Sequence, residues 1–145
     1  MKKKILLVED NNDSLEILGL RVRSFGYDAI KAHNSKEAIA SVEAESPDLI
    51  LMDLDLPDLD GVKTTAILKQ NPKFSHIPVV AVTAWMSELW REKALKVGIV
   101  GYLLKPVTPQ TLRQTIEQFT NRSLYSADNR SLQFSSDYRI DNPRR

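Results

Sequence analysis

Pro47-Asp48-Leu49-Ile50-Leu51-Met52-Asp53-Leu54-Asp55-Leu56-Pro57 is the stretch on which the fold turns. Leu49 to Met52 is an unbroken apolar run, too short for a useful helix and lacking the polar alternation of a half-wet strand. It fits a strand covered on both faces, the sign of a parallel sheet. Asp53 stands where that strand must end, and Pro57 and Gly61 turn the chain beyond it. Open α/β sheets bind their ligands at the carboxyl ends of the strands. A carboxylate at such an end points to chemistry more than to capping the next helix.

The same pattern recurs on both sides. Ile5-Leu6-Leu7-Val8 is a second doubly buried strand, ending in Glu9-Asp10. Asn11, Asn12 and Asp13 offer caps for a helix with the apolar stripe Leu15, Leu18, Val22 and Phe25, stopped by Gly26. Tyr27 to His33 is a weaker strand suited to a sheet edge. Ser35 is expected to cap a helix carrying Ala38, Ile39 and Val42, which ends before Pro47. Beyond the central strand a helix runs from about Gly61 to Lys69, and Asn71 to His76 is a polar loop. Val79 to Val82 is a fourth strand ending at Thr83; a helix follows through Val97-Gly98. Val100 to Leu104 is a fifth strand ending at Lys105-Pro106. Thr108-Pro109, a cap and an N1 proline, opens a last helix with Leu112, Ile116 and Phe119 on one face. Five strands alternating with five helices give an α/β, doubly wound parallel sheet.

Composition narrows the class. The 145 residues make one domain of ordinary size, and 42% apolar residues supply a core. A net charge of +1 argues against a general binder of nucleic acid or membrane surfaces. The absence of Cys excludes disulfides, thiolate metal sites and thiol nucleophiles. Met1-Lys2-Lys3-Lys4 is basic, but Ile5 to Val8 is too short for a signal-peptide core, and no apolar run nears the ~20 residues of a membrane span. A cytoplasmic protein is expected. Residues 121–145, rich in Ser, Asn, Asp and Arg, are expected to form a flexible tail with no output domain after a single domain at 1–120.

The strand ends present Glu9 and Asp10, Asp53, Thr83 and Lys105 along one edge of the sheet. Three acids near one point repel unless a cation joins them, and all-oxygen ligands favour Mg²⁺. A hydroxyl and an ammonium facing a metal-bound carboxylate suit a phosphoryl group. Asp53 is then a plausible nucleophile, giving an acyl phosphate. His33 and His76 are isolated and expected at the surface.

These residues carry a resemblance. Ile5-Leu6-Leu7-Val8-Glu9-Asp10, the run Asp48 to Pro57 with Asp60-Gly61, Val82-Thr83-Ala84 and Tyr102-Leu103-Leu104-Lys105-Pro106 together resemble a response-regulator receiver domain of two-component systems, over residues 1 to about 120. The resemblance implies a flavodoxin-like strand order 2-1-3-4-5. It implies Asp53 as the phosphorylation site, with Asp10, Asp53 and the backbone carbonyl of Asp55 as Mg²⁺ ligands and Glu9 acting through a water. Thr83 and Tyr102 become the switch pair, and Lys105 the partner of the phosphoryl group. The resemblance also implies a cis peptide before Pro106. Implied partners are a histidine kinase or histidine phosphotransfer protein and a downstream effector protein, with the chain a monomer or weak homodimer. The output is then a protein contact or onward phosphotransfer, with no nucleic acid or membrane involved.

Some residues vary from the usual pattern. Asp55 sets an acid two residues after Asp53, and Trp85 is bulky for a place bordering the phosphoryl group. Met86, Trp90, Ala94 and Val97 form a helical stripe that should bury Trp90. Trp85 and Leu89, spaced i, i+4 on another face, are interface candidates. Two enzyme classes are alternatives. Glu9 with Asp53-x-Asp55 resembles the metal site of Toprim nucleases, and Asp-x-Asp with a later Thr and Lys that of haloacid-dehalogenase phosphatases. The first leaves Thr83, Lys105-Pro106 and the Asp10 pairing unexplained. The second wants its Asp-x-Asp after the first strand and usually a cap.

Overall fold

The computed structural model describes residues 2–121. The expected tail at 121–145 lies, beyond Asn121, outside the described residues. Elements alternate without exception: β1 (Lys4–Val8), α1 (Asn12–Ser24), β2 (Asp28–Ala32), α2 (Ser35–Glu45), β3 (Leu49–Asp53), α3 (Gly61–Gln70), β4 (Val79–Thr83), α4 (Glu88–Val97), β5 (Gly101–Leu104) and α5 (Pro109–Thr120). The strands form one parallel sheet in the order β2-β1-β3-β4-β5. The chain leaves β1 toward β2 and returns past it to β3. That reversal opens a crevice at the carboxyl ends of β1 and β3, where Val8 pairs with Met52 just before Glu9 and Asp53.

Burial follows the apolar runs. Every residue of β3, β4 and β5 is buried, and in β1 so is every residue after Lys4. Ile5, Leu6, Leu7, Leu49, Ile50 and Leu51 are all at most 2% exposed, each contributing about 1.5–3 kcal/mol by leaving water. β2 is the half-exposed edge its polar interruptions foretell. α2 packs on α3 and α3 on α4. α1 lies with α5: Arg21 donates to the Val107 carbonyl at 3.2 Å, and Arg113 sits 5.7 Å from the Phe25 ring centre. No helix among the described residues is long and apolar enough to cross a membrane.

The helix ends fit the expected chemistry with two corrections. Asn11, Asp60, Ser87 and Thr108 cap α1, α3, α4 and α5 through their side chains, and Gly98 ends α4 at a φ of 100°. The cap of α2, however, is Asn34 and not Ser35. Asn34 Oδ1 accepts the Glu37 amide at 2.8 Å, which leaves Ser35 as the first helical residue, buried, with its Oγ accepting from Thr64 Oγ1 at 2.8 Å. Two good caps adjoin in sequence, and the one that can be buried against α3 goes inside. The other correction concerns Gly61. Its φ is not positive, so no turn demands it. A Cβ there would lie 2.5 Å from the Asp53 carbonyl oxygen and 2.8 Å from the Leu54 Cα, so glycine is required because α3 begins against the backbone of β3.

Candidate functional site

Glu9, Asp53, Thr83 and Lys105 each sit at or just past a strand end, and the parallel register gathers them at one edge. They line a cleft of about 560 Å³ together with Asp10, Leu54, Asp55, Asp60, Ala84, Trp85 and Trp90. Carboxylate oxygens of Glu9, Asp10 and Asp53 lie within 4.8 Å of one another. Glu9 and Asp53 are buried and Asp10 is exposed, so the cluster is rooted in the domain and open to solvent on one side.

One ammonium joins the two buried acids. Lys105 Nζ is 2.6 Å from Glu9 Oε1 and 3.2 Å from Asp53 Oδ2. The other oxygens accept amides: Asn11 N reaches Glu9 Oε2 at 3.1 Å, and Asp55 N reaches Asp53 Oδ1 at 2.9 Å. The electrostatics are uneven. Burial pushes the Asp53 carboxyl up to about 6, against the Asp55 amide and Lys105, which favour its charge; the Glu9 charge adds to the rise. Burial also works against Glu9, but the Lys105 hydrogen bond and the Asn11 amide overcome it and hold Glu9 below the usual carboxylate range. Burial likewise opposes the Lys105 charge, and the two carboxylates more than restore it, lifting Lys105 above its ordinary value. Two carboxylates with one cation leave negative charge uncompensated in a half-closed cleft. Oxygen donors in such a cluster fit a small divalent cation such as Mg²⁺.

Thr83 and Tyr102 do not meet the cleft equally. Thr83 lines it, its Oγ1 donating to the Trp85 carbonyl at 3.2 Å. Tyr102 is 2% exposed within β5 and outside the cleft lining. Pairing of Ala81 with Tyr102 and of Thr83 with Leu104 sets Thr83 and Tyr102 on the same face of the sheet. The Lys105–Pro106 peptide is cis.

Trp85 and Leu89 are exposed, at 58% and 60%. They do not share a helical face, because α4 starts only at Glu88, after its Ser87 cap, and Trp85 belongs to the preceding loop at the cleft mouth. Met86 and Ala94 are buried as the stripe foretells. Trp90 is half-buried, packs on the core and also lines the cleft, with Lys93 Nζ 5.1 Å from its ring centre. Asp60, Ala84 and Trp90 are cleft residues that sequence reasoning did not assign there. A cap, a small residue and an apolar stripe each have a sufficient structural reason, so none signals a site. His33 and His76 are exposed as expected, and His33 Nδ1 lies 3.0 Å from Glu37 Oε1.

The comparisons agree with this geometry. The family model for the response regulator receiver domain matches residues 5–117. The polar-differentiation response regulator DivK of Brucella anthropi is 34% identical over 119 residues, which cover 82% of this chain and 97% of DivK. Among solved structures, the receiver domain of a sensor histidine kinase from Pseudomonas aeruginosa, with a magnesium ion coordinated in its active-site cleft, is 32% identical. Its TM-score is 0.76, with 83% of this chain and 98% of that one covered. The chemotaxis response regulator CheY4 of Vibrio cholerae shares the fold at a TM-score of 0.78 and 24% identity, over 82% of this chain and 99% of its own. Neither the Toprim nor the dehalogenase alternative draws support from these matches. The chain belongs to the response regulator receiver domain family.

Proposed function

We propose that this chain is a phosphorylation switch whose only chemistry is performed on itself. Asp53 accepts a phosphoryl group from a histidine kinase or histidine phosphotransfer protein. The modified surface is then read by a downstream effector protein or relays the group onward. The observation that carries this reading is the Asp53 carboxylate, buried beside Lys105 at 3.2 Å yet lining an open cleft with Glu9 and Asp10.

Asp10, Asp53 and the backbone carbonyl of Asp55 would hold Mg²⁺, with Glu9 contributing less directly. When bound, the ion offsets the surplus carboxylate charge and takes up charge from the phosphoryl oxygens. The transfer is a displacement at phosphorus. An Asp53 oxygen forms the O–P bond as the N–P bond to the donor histidine breaks, the electron pair leaving with the imidazole nitrogen. Lys105 exchanges its contact with Asp53 Oδ2 for a phosphoryl oxygen. The Thr83 hydroxyl turns its donor from the Trp85 carbonyl to the new oxygens, and Tyr102, on the same sheet face, settles into the space left behind. The added charge biases a two-state surface formed by α4, β5 and α5.

The test is incubation with acetyl phosphate and Mg²⁺, followed by intact-mass measurement. A gain of one phosphoryl group, absent in EDTA and absent in Asp53→Asn, supports the switch. Turnover of DNA or of phosphoesters, with no mass gain, would support one of the enzyme alternatives instead.

A further inference from the structure

The β3–α3 loop, residues 54–60, carries the backbone that orients Asp53 through the amide of Asp55. Leu54 is buried, Leu56 packs on the core and the Gly61 amide donates to the Leu54 carbonyl at 2.9 Å, but Asp55, Pro57 and Asp58 are exposed, and this outer part of the loop is held to one geometry only with a further anchor. Asp58 supplies it. Asp58 Oδ1 accepts from the Ser35 amide at 2.9 Å and Oδ2 from the Lys36 amide at 3.1 Å, while Oδ1 also takes the Leu59 amide of its own loop at 2.9 Å. Ser35 and Lys36 open α2, so their amides have no helical acceptor, and the positive end of the helix favours a carboxylate there. The amides hold the Asp58 carboxyl below the usual range.

Besides this carboxylate, α2 has a capping side chain of its own. Asn34 caps the Glu37 amide, and Glu37 Oε1 accepts the amide of His33, the residue before the cap, at 2.8 Å. The bonds from Asp58 therefore tie the loop to the helix. The anchor is firm, because Ser35 is buried and its Oγ is joined to Thr64 of α3. Between Asp55 and Asp58 stand Leu56 and Pro57, and the fixed φ of proline limits how far the segment can pivot. Holding Asp58 therefore restricts the freedom of the Asp55 backbone, together with the packing of Leu54 and Leu56.

We propose that Asp58 is a positioning residue for the chemistry at Asp53. It clamps the β3–α3 loop to the start of α2, and so holds the Asp55 backbone against the Asp53 carboxylate and beside the acidic cluster. The consequence for metal and phosphoryl binding rests on the function proposed above; the clamp itself does not.

Four full-length proteins decide it: wild type, Asp58→Ala, Asp58→Asn and Asn34→Ala. Amide exchange at Asp55 is followed by NMR in EDTA, and Mg²⁺ affinity by tryptophan fluorescence. In Asp58→Ala, exchange at Asp55 should quicken on the order of tenfold, as expected when the bonds restraining a local segment are lost. Mg²⁺ affinity should fall several-fold. Asp58→Asn should lie between, since a carboxamide keeps one acceptor oxygen, and it serves alone if the alanine protein does not fold. Asn34→Ala should lower the melting temperature and leave both readouts at wild-type values. Unchanged exchange at Asp55 in the Asp58 variants would overturn the clamp. So would equal acceleration in Asn34→Ala, which would show only general fraying of α2. A wild type that binds no Mg²⁺ would count against the proposed function, and the Asp55 exchange would still judge the clamp.

Discussion

In metal-free protein, Asp53→Asn should make the domain more stable at neutral pH. Asp53 and Glu9 are 4% and 3% exposed and share the Lys105 ammonium. Burial moves the Asp53 carboxyl from an ordinary 3.8 to about 6. The sign follows from the direction. A carboxyl raised on folding binds its proton more tightly in the folded state, so between the two values stability falls as pH rises. Above the folded value the full cost is present; below the ordinary value it is gone. At ~1.36 kcal/mol per pH unit, a rise of roughly two units is an upper bound of about 3 kcal/mol. Asparagine has the same shape, keeps an oxygen for the Asp55 amide and carries no charge. Relaxation around the charged wild-type group trims the gain, so about 1–3 kcal/mol is expected at pH 7.5, or ~3–12 °C for a domain of this size. Calorimetry of both proteins in EDTA at pH 7.5 and pH 4 measures it. The gain should shrink toward zero at pH 4, where wild-type Asp53 is mostly protonated. Asp53→Asn no more stable than wild type at pH 7.5, or a gain undiminished at pH 4, would refute the reasoning. Under the proposed function, saturating Mg²⁺ should narrow the difference, as a ligand that binds only the folded wild type does.

Three further outcomes are expected. Asp10→Ala should weaken Mg²⁺ binding about tenfold or more and Glu9→Ala less, read by fluorescence of the cleft residues Trp85 and Trp90; equal affinities in all three proteins would count against the cluster as a metal site. Gly61→Ala should destabilise by about 1–3 kcal/mol in urea unfolding, because its Cβ would press on the Asp53 backbone, and should slow phosphorylation by acetyl phosphate. Trp85→Ala should shorten the life of the phosphorylated state if the ring at the cleft mouth hinders the water that attacks phosphorus in line; phosphate release no faster than wild type would leave Trp85 as a partner contact.

The sheet was legible because parallel strands buried on both faces must read as apolar runs. Ile5 to Val8, Leu49 to Met52 and Val79 to Val82 have no other economical use. The same logic exposed most of the cleft. A polar residue immediately after such a run has to lie at the sheet edge, so Glu9, Asp53, Thr83 and Lys105 were placed by the ends of their strands. Features made by two loops meeting were not legible. Asp58 shows no periodicity and no motif beyond its neighbours, and its bonds to Ser35 and Lys36 depend on how α2 and the β3–α3 loop are docked. The choice of Asn34 over Ser35 as cap depends on Thr64, far along the chain. The i, i+4 spacing of Trp85 and Leu89 suggests one helical face, but the Ser87 cap starts α4 only at Glu88 and leaves Trp85 in the loop before it.

The central claim is that Asp53 is the residue phosphorylated. An aspartyl phosphate is an acyl phosphate, which borohydride reduces to homoserine. Wild-type protein is exposed to acetyl phosphate and Mg²⁺, reduced and digested, and the peptide spanning residue 53 is sequenced by mass spectrometry. Homoserine at position 53, and at no other aspartate, is the predicted result. Homoserine at Asp10 or Asp55 with Asp53 intact, or none anywhere despite a phosphoryl mass gain, would contradict it.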